Sequence, residues 1–194
     1  EPVGILAANF YQNTVDGLFI TSEMTAAEFG YSGDEDYSAY LFTTTTSGSN
    51  RTLIRGMELE YSQSLSFLPG FLRGLNARAS YTRNYAEVTL PLLTGHSAKV
   101  GLSYAWRGFN LYGNLNWHDN FPTNAAGTAI RRHRTVVDAG GGYQLSNRVS
   151  VFFSLRNLLD APLLNLQKSG NNPLLVTGYQ AMGTGITVGM RGTF

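Results

Sequence analysis

Apolar and polar residues alternate with a period of two along most of the chain, which is the spacing of a β-strand with two unlike faces. The pattern is cleanest at the carboxyl end. Counting back by twos, Phe194, Gly192, Met190, Val188 and Ile186 form one row. Thr193, Arg191, Gly189, Thr187 and Gly185 form the other. The first row is apolar apart from a glycine; the second is small or polar. A strand running to the last residue is predicted. Soluble domains rarely end on an apolar aromatic at a strand tip, because termini fray and are usually polar.

The same alternation predicts eight strand-like segments. They cover about Ile5–Ile20, Arg51–Leu65, Leu72–Val88, His96–Arg107, Asn110–His118, His133–Leu145, Arg148–Leu158 and Gly178–Phe194. In the second, Met57, Leu59 and Tyr61 oppose Gly56, Glu58, Glu60 and Ser62. In the fifth, Leu111, Leu115 and Trp117 oppose Asn110, Tyr112, Asn114 and Asn116. Pro69-Gly70, Arg107-Gly108 and Ser146-Asn147 mark short reversals. The other links, 21–50, 89–95, 119–132 and 159–177, are longer. Segments of this length exceed the five or six residues common in soluble sheets. They suit tilted crossings of a bilayer, which need about 9–11 residues. Alternately short and long links are expected when one rim faces the periplasm and the other the exterior. Aromatics gather near strand ends, with Phe67, Phe71, Trp106, Phe109 and Phe194 toward the short turns. Phe19, Tyr85, Trp117, Phe121 and Tyr179 lie toward the long loops, as two interfacial girdles require.

Composition changes this picture little. Apolar residues make up 43%, and no run approaches the roughly 20 apolar residues of a helical span. Barrels escape such a search because lipid-facing and lumen-facing residues alternate. The absence of cysteine excludes disulfides and thiolate chemistry. A net charge of +1 gives no electrostatic case for nucleic acid. The cations are mostly arginine, which binds phosphate in a bidentate way. Residue 1 is glutamate, and Glu1-Pro2-Val3-Gly4 reads as a turn that leads straight into alternation. The expectation is the tail of a longer protein, starting within a hairpin.

Several stretches resemble the C-terminal part of TonB-dependent outer-membrane receptors. Gly56-Met57-Glu58-Leu59-Glu60-Tyr61 resembles that family's recurring G-x-E-x-E strand. Leu155-Arg156-Asn157-Leu158-Leu159-Asp160 resembles its penultimate strand, with an N-L-hydrophobic-D end. Thr184 to Phe194 resembles its closing strand, and EPVGILAANFYQNTVDGLF an earlier hairpin turn and ascending strand. The resemblance implies an all-β, antiparallel, up-and-down transmembrane β-barrel segment of about eight long strands, with short periplasmic turns and longer extracellular loops. It implies one partial domain over 1–194, with the plug and TonB box absent. It further implies TonB-dependent uptake of a scarce nutrient (siderophore, vitamin or glycan), with the TonB complex engaged only through the missing N-terminal region. The C-terminus would be periplasmic, and Ile186, Val188, Met190 and Phe194 would form the signal read by the barrel-assembly machinery. The alternatives are a complete eight-stranded outer-membrane barrel with a structural or adhesive role, a small outer-membrane lipid enzyme, and a soluble lipocalin-like barrel.

Few residues invite chemistry. Arg131, Arg132 and Arg134 form a basic cluster on the predicted outer rim, suited to lipopolysaccharide phosphates or an anionic ligand; the alternative is a hydrated loop. His118, Asp119 and His133 flank one loop, but a metal site there has no supporting second set of ligand contacts. Asp34 to Asp36 reads as a solvated acidic run. Gly140–Gly142 sit within a strand and precede no helix, so they are no phosphate loop. No nucleophile–His–acid order resembles a hydrolase motif. No catalytic residue and no cofactor is expected.

Overall fold

The computed structural model describes residues 4–31, 37, 40, 42–47, 51–169 and 172–193. The strands are β1 (Gly4–Val15), β2 (Phe19–Met24), β3 (Phe42–Ser47), β4 (Thr52–Ser64), β5 (Leu75–Ala86), β6 (His96–Trp106) and β7 (Phe109–His118). They continue as β8 (Phe121–Pro122), β9 (Ala129–Arg131), β10 (Arg134–Ser146), β11 (Val149–Arg156), β12 (Leu163–Ser169), β13 (Asn172–Gln180) and β14 (Gly185–Gly192). Among the described residues one 3-10 turn, Gly70–Gly74, lies between β4 and β5.

Eight strands form one antiparallel sheet in the order β1-β4-β5-β6-β7-β10-β11-β14. These are the eight predicted segments, each paired with its neighbours in sequence. The up-and-down order keeps every pairing local to adjacent segments. Among the described residues β1 pairs only with β4, and β14 only with β11, so both outer edges carry free backbone groups.

The long links differ from expectation. The first segment stops at Val15 rather than near Ile20, and residues 16–18 break it. β2 and β3 then form a separate hairpin that begins at Phe19 and takes up part of the 21–50 stretch. The link expected over 159–177 is largely the β12–β13 hairpin, and the closing strand starts at Gly185 rather than Gly178. β13, β12, β9 and β8 make a second, four-stranded sheet from two of the long links. Strict alternation of link length also relaxes. Residues 65–74, read as a tight reversal, span as much chain as 87–95, because the 3-10 turn packs against the end of β6. The short turns at 107–108 and 147–148 stand as predicted.

No large side chain is fully buried, and Leu166 is the one buried hydrophobic residue among those described. The sheet is a single layer with no interior of its own. Its stability must come from backbone pairing and from whatever solvates its two faces.

Candidate functional site

The cross-strand register separates those faces. One row runs Leu6, Tyr61, Ala79, Val100, Leu115 and Val137 across six strands. A second runs Ala77, Leu102, Gly113, Ala139, Leu155 and Ile186. A third joins Leu75, Tyr104, Leu111, Gly141, Phe153 and Val188. Every member is apolar, tyrosine or glycine. Trp106, Phe109, Tyr143, Val151 and Met190 close the band at the short-turn rim. There the Phe109 and Tyr143 rings lie 4.2 Å apart, and the Arg107 guanidinium sits 4.6 Å from the Trp106 ring. An exposed apolar band this wide is untenable in water and natural in lipid.

The opposite face carries the charge. Its rows include Ser62, Arg78, Gly101, Asn114 and Asp138, then Glu60, Ser80, Lys99 and Asn116. A cavity of about 490 Å³ opens on this face, lined by Glu60, Arg78, Lys99, Asn114, Asn116 and Asp138. None of these makes a salt bridge among the described residues; the ion pair found there is Arg51 with Asp16, 3.0 Å apart and exposed. Charges of both signs held apart on one wall need water or a polar occupant opposite them.

The glycines at 140–142 serve the sheet. A Cβ at Gly140 would lie 2.5 Å from the Tyr112 hydroxyl and 2.8 Å from the Phe153 carbonyl oxygen. The neighbouring strands approach too closely for any side chain.

The three arginines of the basic cluster are held differently. Arg131 ends β9, and its Nε donates to the Asn165 side-chain oxygen at 2.9 Å. Arg134 opens β10 on the polar face, paired with His118, and donates through Nε and Nη2 to the Ala161 carbonyl at 3.2 and 3.0 Å. Arg132 is exposed, and its side chain has no hydrogen-bond partner among the described residues. His118 Nδ1 lies 2.9 Å from the Asp119 carbonyl oxygen, while exposed His133 is held through its backbone N–H by Asn120 at 2.6 Å. No group of three acidic or histidine side chains among the described residues could hold a metal.

Asn157 was legible only as part of a motif; the structure gives it a task. It is 7% exposed, with φ of 53°. Its N–H donates to Asp138 at 2.8 Å, and its Nδ2 to the Gly183 carbonyl at 3.0 Å. Its Oδ1 accepts from Ala161 N–H at 3.0 Å, and its carbonyl accepts from the Thr184 hydroxyl at 3.0 Å. Through its backbone and side chain together, one residue thus ties the end of β11 to β10, to the following turn and to the segment leading into β14. Asp138 was missed in the sequence. Its signal was the one acid of its strand, in the polar phase.

Ile186, Val188 and Met190 project from β14 into the apolar band, 71, 77 and 71% exposed. Phe194 and the Asp34–Asp36 run lie outside the described residues.

The family model described as TonB dependent receptor-like, beta-barrel, matches residues 3–158. The chain belongs to the TonB-dependent receptor β-barrel family. No curated protein and no solved structure matches it. The match spans β1 to Asn157 and so includes the Gly56–Tyr61 strand and the Asn157 junction. The closing strand lies beyond it but continues the same sheet in register. TonB-dependent receptors act at the outer membrane as receptors and transporters, and they are not enzymes. The family also implies engagement of TonB.

Proposed function

We propose that residues 1–194 form one partial domain, the C-terminal wall and outer loops of a TonB-dependent receptor that takes up a scarce nutrient such as a siderophore, a vitamin or a glycan. The observation that carries this reading is the eight-strand sheet with an apolar band across one face and a charged, cavity-bearing opposite face. The plug and the TonB-contacting segment belong to sequence outside this chain. The free edges of β1 and β14 favour a larger barrel over a self-contained eight-stranded one. The test is uptake of a labelled ferric siderophore, cobalamin and an oligosaccharide in cells with and without the receptor. Uptake of one class should vanish on deletion of the receptor and equally on loss of TonB. Uptake of all three that is indifferent to both deletions would overturn the reading.

In this reading the C-terminus is periplasmic. Ile186, Val188, Met190 and Phe194 then present the row read by the assembly machinery, and Val188→Asp should reduce insertion of the receptor. Arg132, with Arg131 and Arg134 beside it, contacts lipopolysaccharide phosphate or an anionic ligand on the outer rim. The exposed Arg132 guanidinium supports this role, since its neighbours are already hydrogen-bonded. Salt-sensitive lipopolysaccharide binding should be lost on Arg131→Ala with Arg132→Ala, and unchanged binding would end the idea.

A further inference from the structure

We propose that three arginines on the short-turn rim, Arg73, Arg107 and Arg148, bind the phosphate of anionic glycerophospholipids in the periplasmic leaflet. This rests on the reading above that the short-turn rim is periplasmic, and adds a lipid preference to it.

The three lie on successive links along one edge of the sheet. Arg73 belongs to the 3-10 turn between β4 and β5, Arg107 to the turn between β6 and β7, and Arg148 to the turn between β10 and β11. Local contacts hold these links side by side. A Cβ at Gly74 would fall on the Ala105 carbonyl, so the turn that carries Arg73 lies against the end of β6. The Gln144 N–H donates to the Gly108 carbonyl at 3.0 Å, and the Thr193 N–H to the Arg148 carbonyl at 2.9 Å. Successive links are two strands apart in the sheet, about 10 Å.

The sequence gives these cations no counter-charge. No Asp or Glu occurs in 61–86, 88–118 or 139–159, the stretches that hold the three links. All three arginines are exposed, and none makes an ion pair or a side-chain hydrogen bond among the described residues. The long-link rim carries both signs instead, as in the pair of Arg51 with Asp16. Arg78 and Arg191 approach the short-turn rim as well, but they lie in the polar phase, opposite Ser62 and Ser150.

Position favours a lipid over a soluble acidic partner. The Arg107 guanidinium sits 4.6 Å from the Trp106 ring, and Trp106 closes the apolar band, so the cation lies at the margin of that band. Phe67 and Phe71, in the link of Arg73, and Leu145, just before the turn of Arg148, are 59, 57 and 56% exposed. Apolar side chains with arginine heads beside them suit the boundary between hydrocarbon and headgroups, where the cation reaches phosphate and its stem stays in apolar surroundings. A soluble protein would meet the turn tips and leave these side chains in water. The planar guanidinium fork matches two phosphate oxygens. The net charge of the headgroup follows from the missing carboxylates. Phosphatidylethanolamine carries an ammonium that would find no acid in these links, whereas phosphatidylglycerol carries none.

The experiment is native mass spectrometry of the purified full-length receptor in detergent with an equimolar mixture of phosphatidylglycerol and phosphatidylethanolamine. Phosphatidylglycerol should be retained preferentially, and added salt should reduce the preference. Arg73→Gln, Arg107→Gln and Arg148→Gln should each lower it, by up to about fivefold per arginine near an anionic surface, and the triple variant should abolish it. The triple Arg→Lys variant should keep part of it, because the charge remains. Heat-modifiable migration on a gel confirms that each variant barrel is folded. Equal retention of the two lipids by the unaltered receptor, or an undiminished preference in the folded triple Gln variant, overturns the inference. A second measurement separates it from the reading on which it rests. Asn147→Cys, at the exposed tip of the Arg148 turn, should react with a membrane-impermeant maleimide only after the outer membrane is permeabilised. Labelling in intact cells overturns the periplasmic placement and the inference with it; labelling confined to permeabilised cells together with no lipid preference overturns the inference alone.

Discussion

The ring of Tyr11 on β1 lies over Gly56 on β4 and reaches β5, where its hydroxyl donates to the Asn84 side-chain oxygen. Asn84 in turn donates through Nδ2 to the Thr94 carbonyl at 3.0 Å, so the chain of contacts continues into the 87–95 link. Gly56 is the glycine of the G-x-E-x-E strand. Its lack of a side chain opens the path across the sheet, because a Cβ there would fall within the Tyr11 ring. Glycine weakens a strand by itself, and an aromatic laid across it restores packing.

Gly56→Ala should therefore destabilise the folded receptor by about 1–3 kcal/mol, the usual cost of overpacking. The cost should fall below about 1 kcal/mol in a Tyr11→Ala background, where the ring is gone. Urea unfolding of the four variants of this cycle checks it. Equal costs in both backgrounds would mean that the glycine serves something other than Tyr11.

Asn157 makes a second, sharper prediction. Asn157→Ala removes the bonds to Gly183 and Ala161 and places a Cβ-bearing residue without local side-chain hydrogen bonds at positive φ. The loss should be about 2–4 kcal/mol, from two buried groups left unpaired plus backbone strain. Asn157→Gly should be milder by about 1 kcal/mol, since glycine accepts that backbone conformation. Thermal unfolding of the two variants ranks them. Alanine equal to glycine would remove the strain from the account.

How much of this was legible beforehand divides along a physical line. Strands that divide a lipid face from a polar face must alternate, so Met57, Leu59 and Tyr61 against Glu58 and Glu60 could be read from the sequence alone. The β2–β3 and β12–β13 hairpins carry no such division. Thr43 to Thr46 looks the same on both faces, and Leu163–Ser169 mixes apolar and polar residues irregularly. Each hairpin pairs chiefly with itself inside one link, and such pairing leaves no periodic trace. The bonding of the arginine cluster was not legible for a related reason. Adjacency in sequence placed Arg131 and Arg134 together, but one ends β9 and the other opens β10 in a different sheet. Their partners, Asn165 and Ala161, lie about thirty residues away, beyond any local signal.

The two faces of the sheet should respond oppositely to charge. Leu102 sits near the middle of β6 in the apolar band, and Ser103 points to the polar side. Leu102→Arg should cost about 2–4 kcal/mol, as a cation on the lipid face near the bilayer midplane does. Ser103→Arg should cost much less, because water reaches that wall. The folded fraction of each receptor variant in outer membranes, read by heat-modifiable migration, compares them. Equal tolerance of both would invert the assignment of the faces.

The turn that starts at Thr25 should be sensitive to acid. The Glu28 carboxyl is held below its ordinary value near 4.5, first by the hydrogen bond from the Thr25 backbone N–H and then by the Thr25 hydroxyl. A depressed folded-state value means that the turn gains stability above the unfolded value. That gain is lost as pH falls through the folded value, when the carboxylate takes up a proton and stops accepting both bonds. Amide exchange at Phe29 and Tyr31, corrected for intrinsic rate, should show constant protection above about pH 5 and declining protection below about pH 4. Glu28→Gln should flatten the profile, because the amide has no proton to gain in this range. A wild-type decline that persists unchanged in Glu28→Gln would place the acid sensitivity in another group.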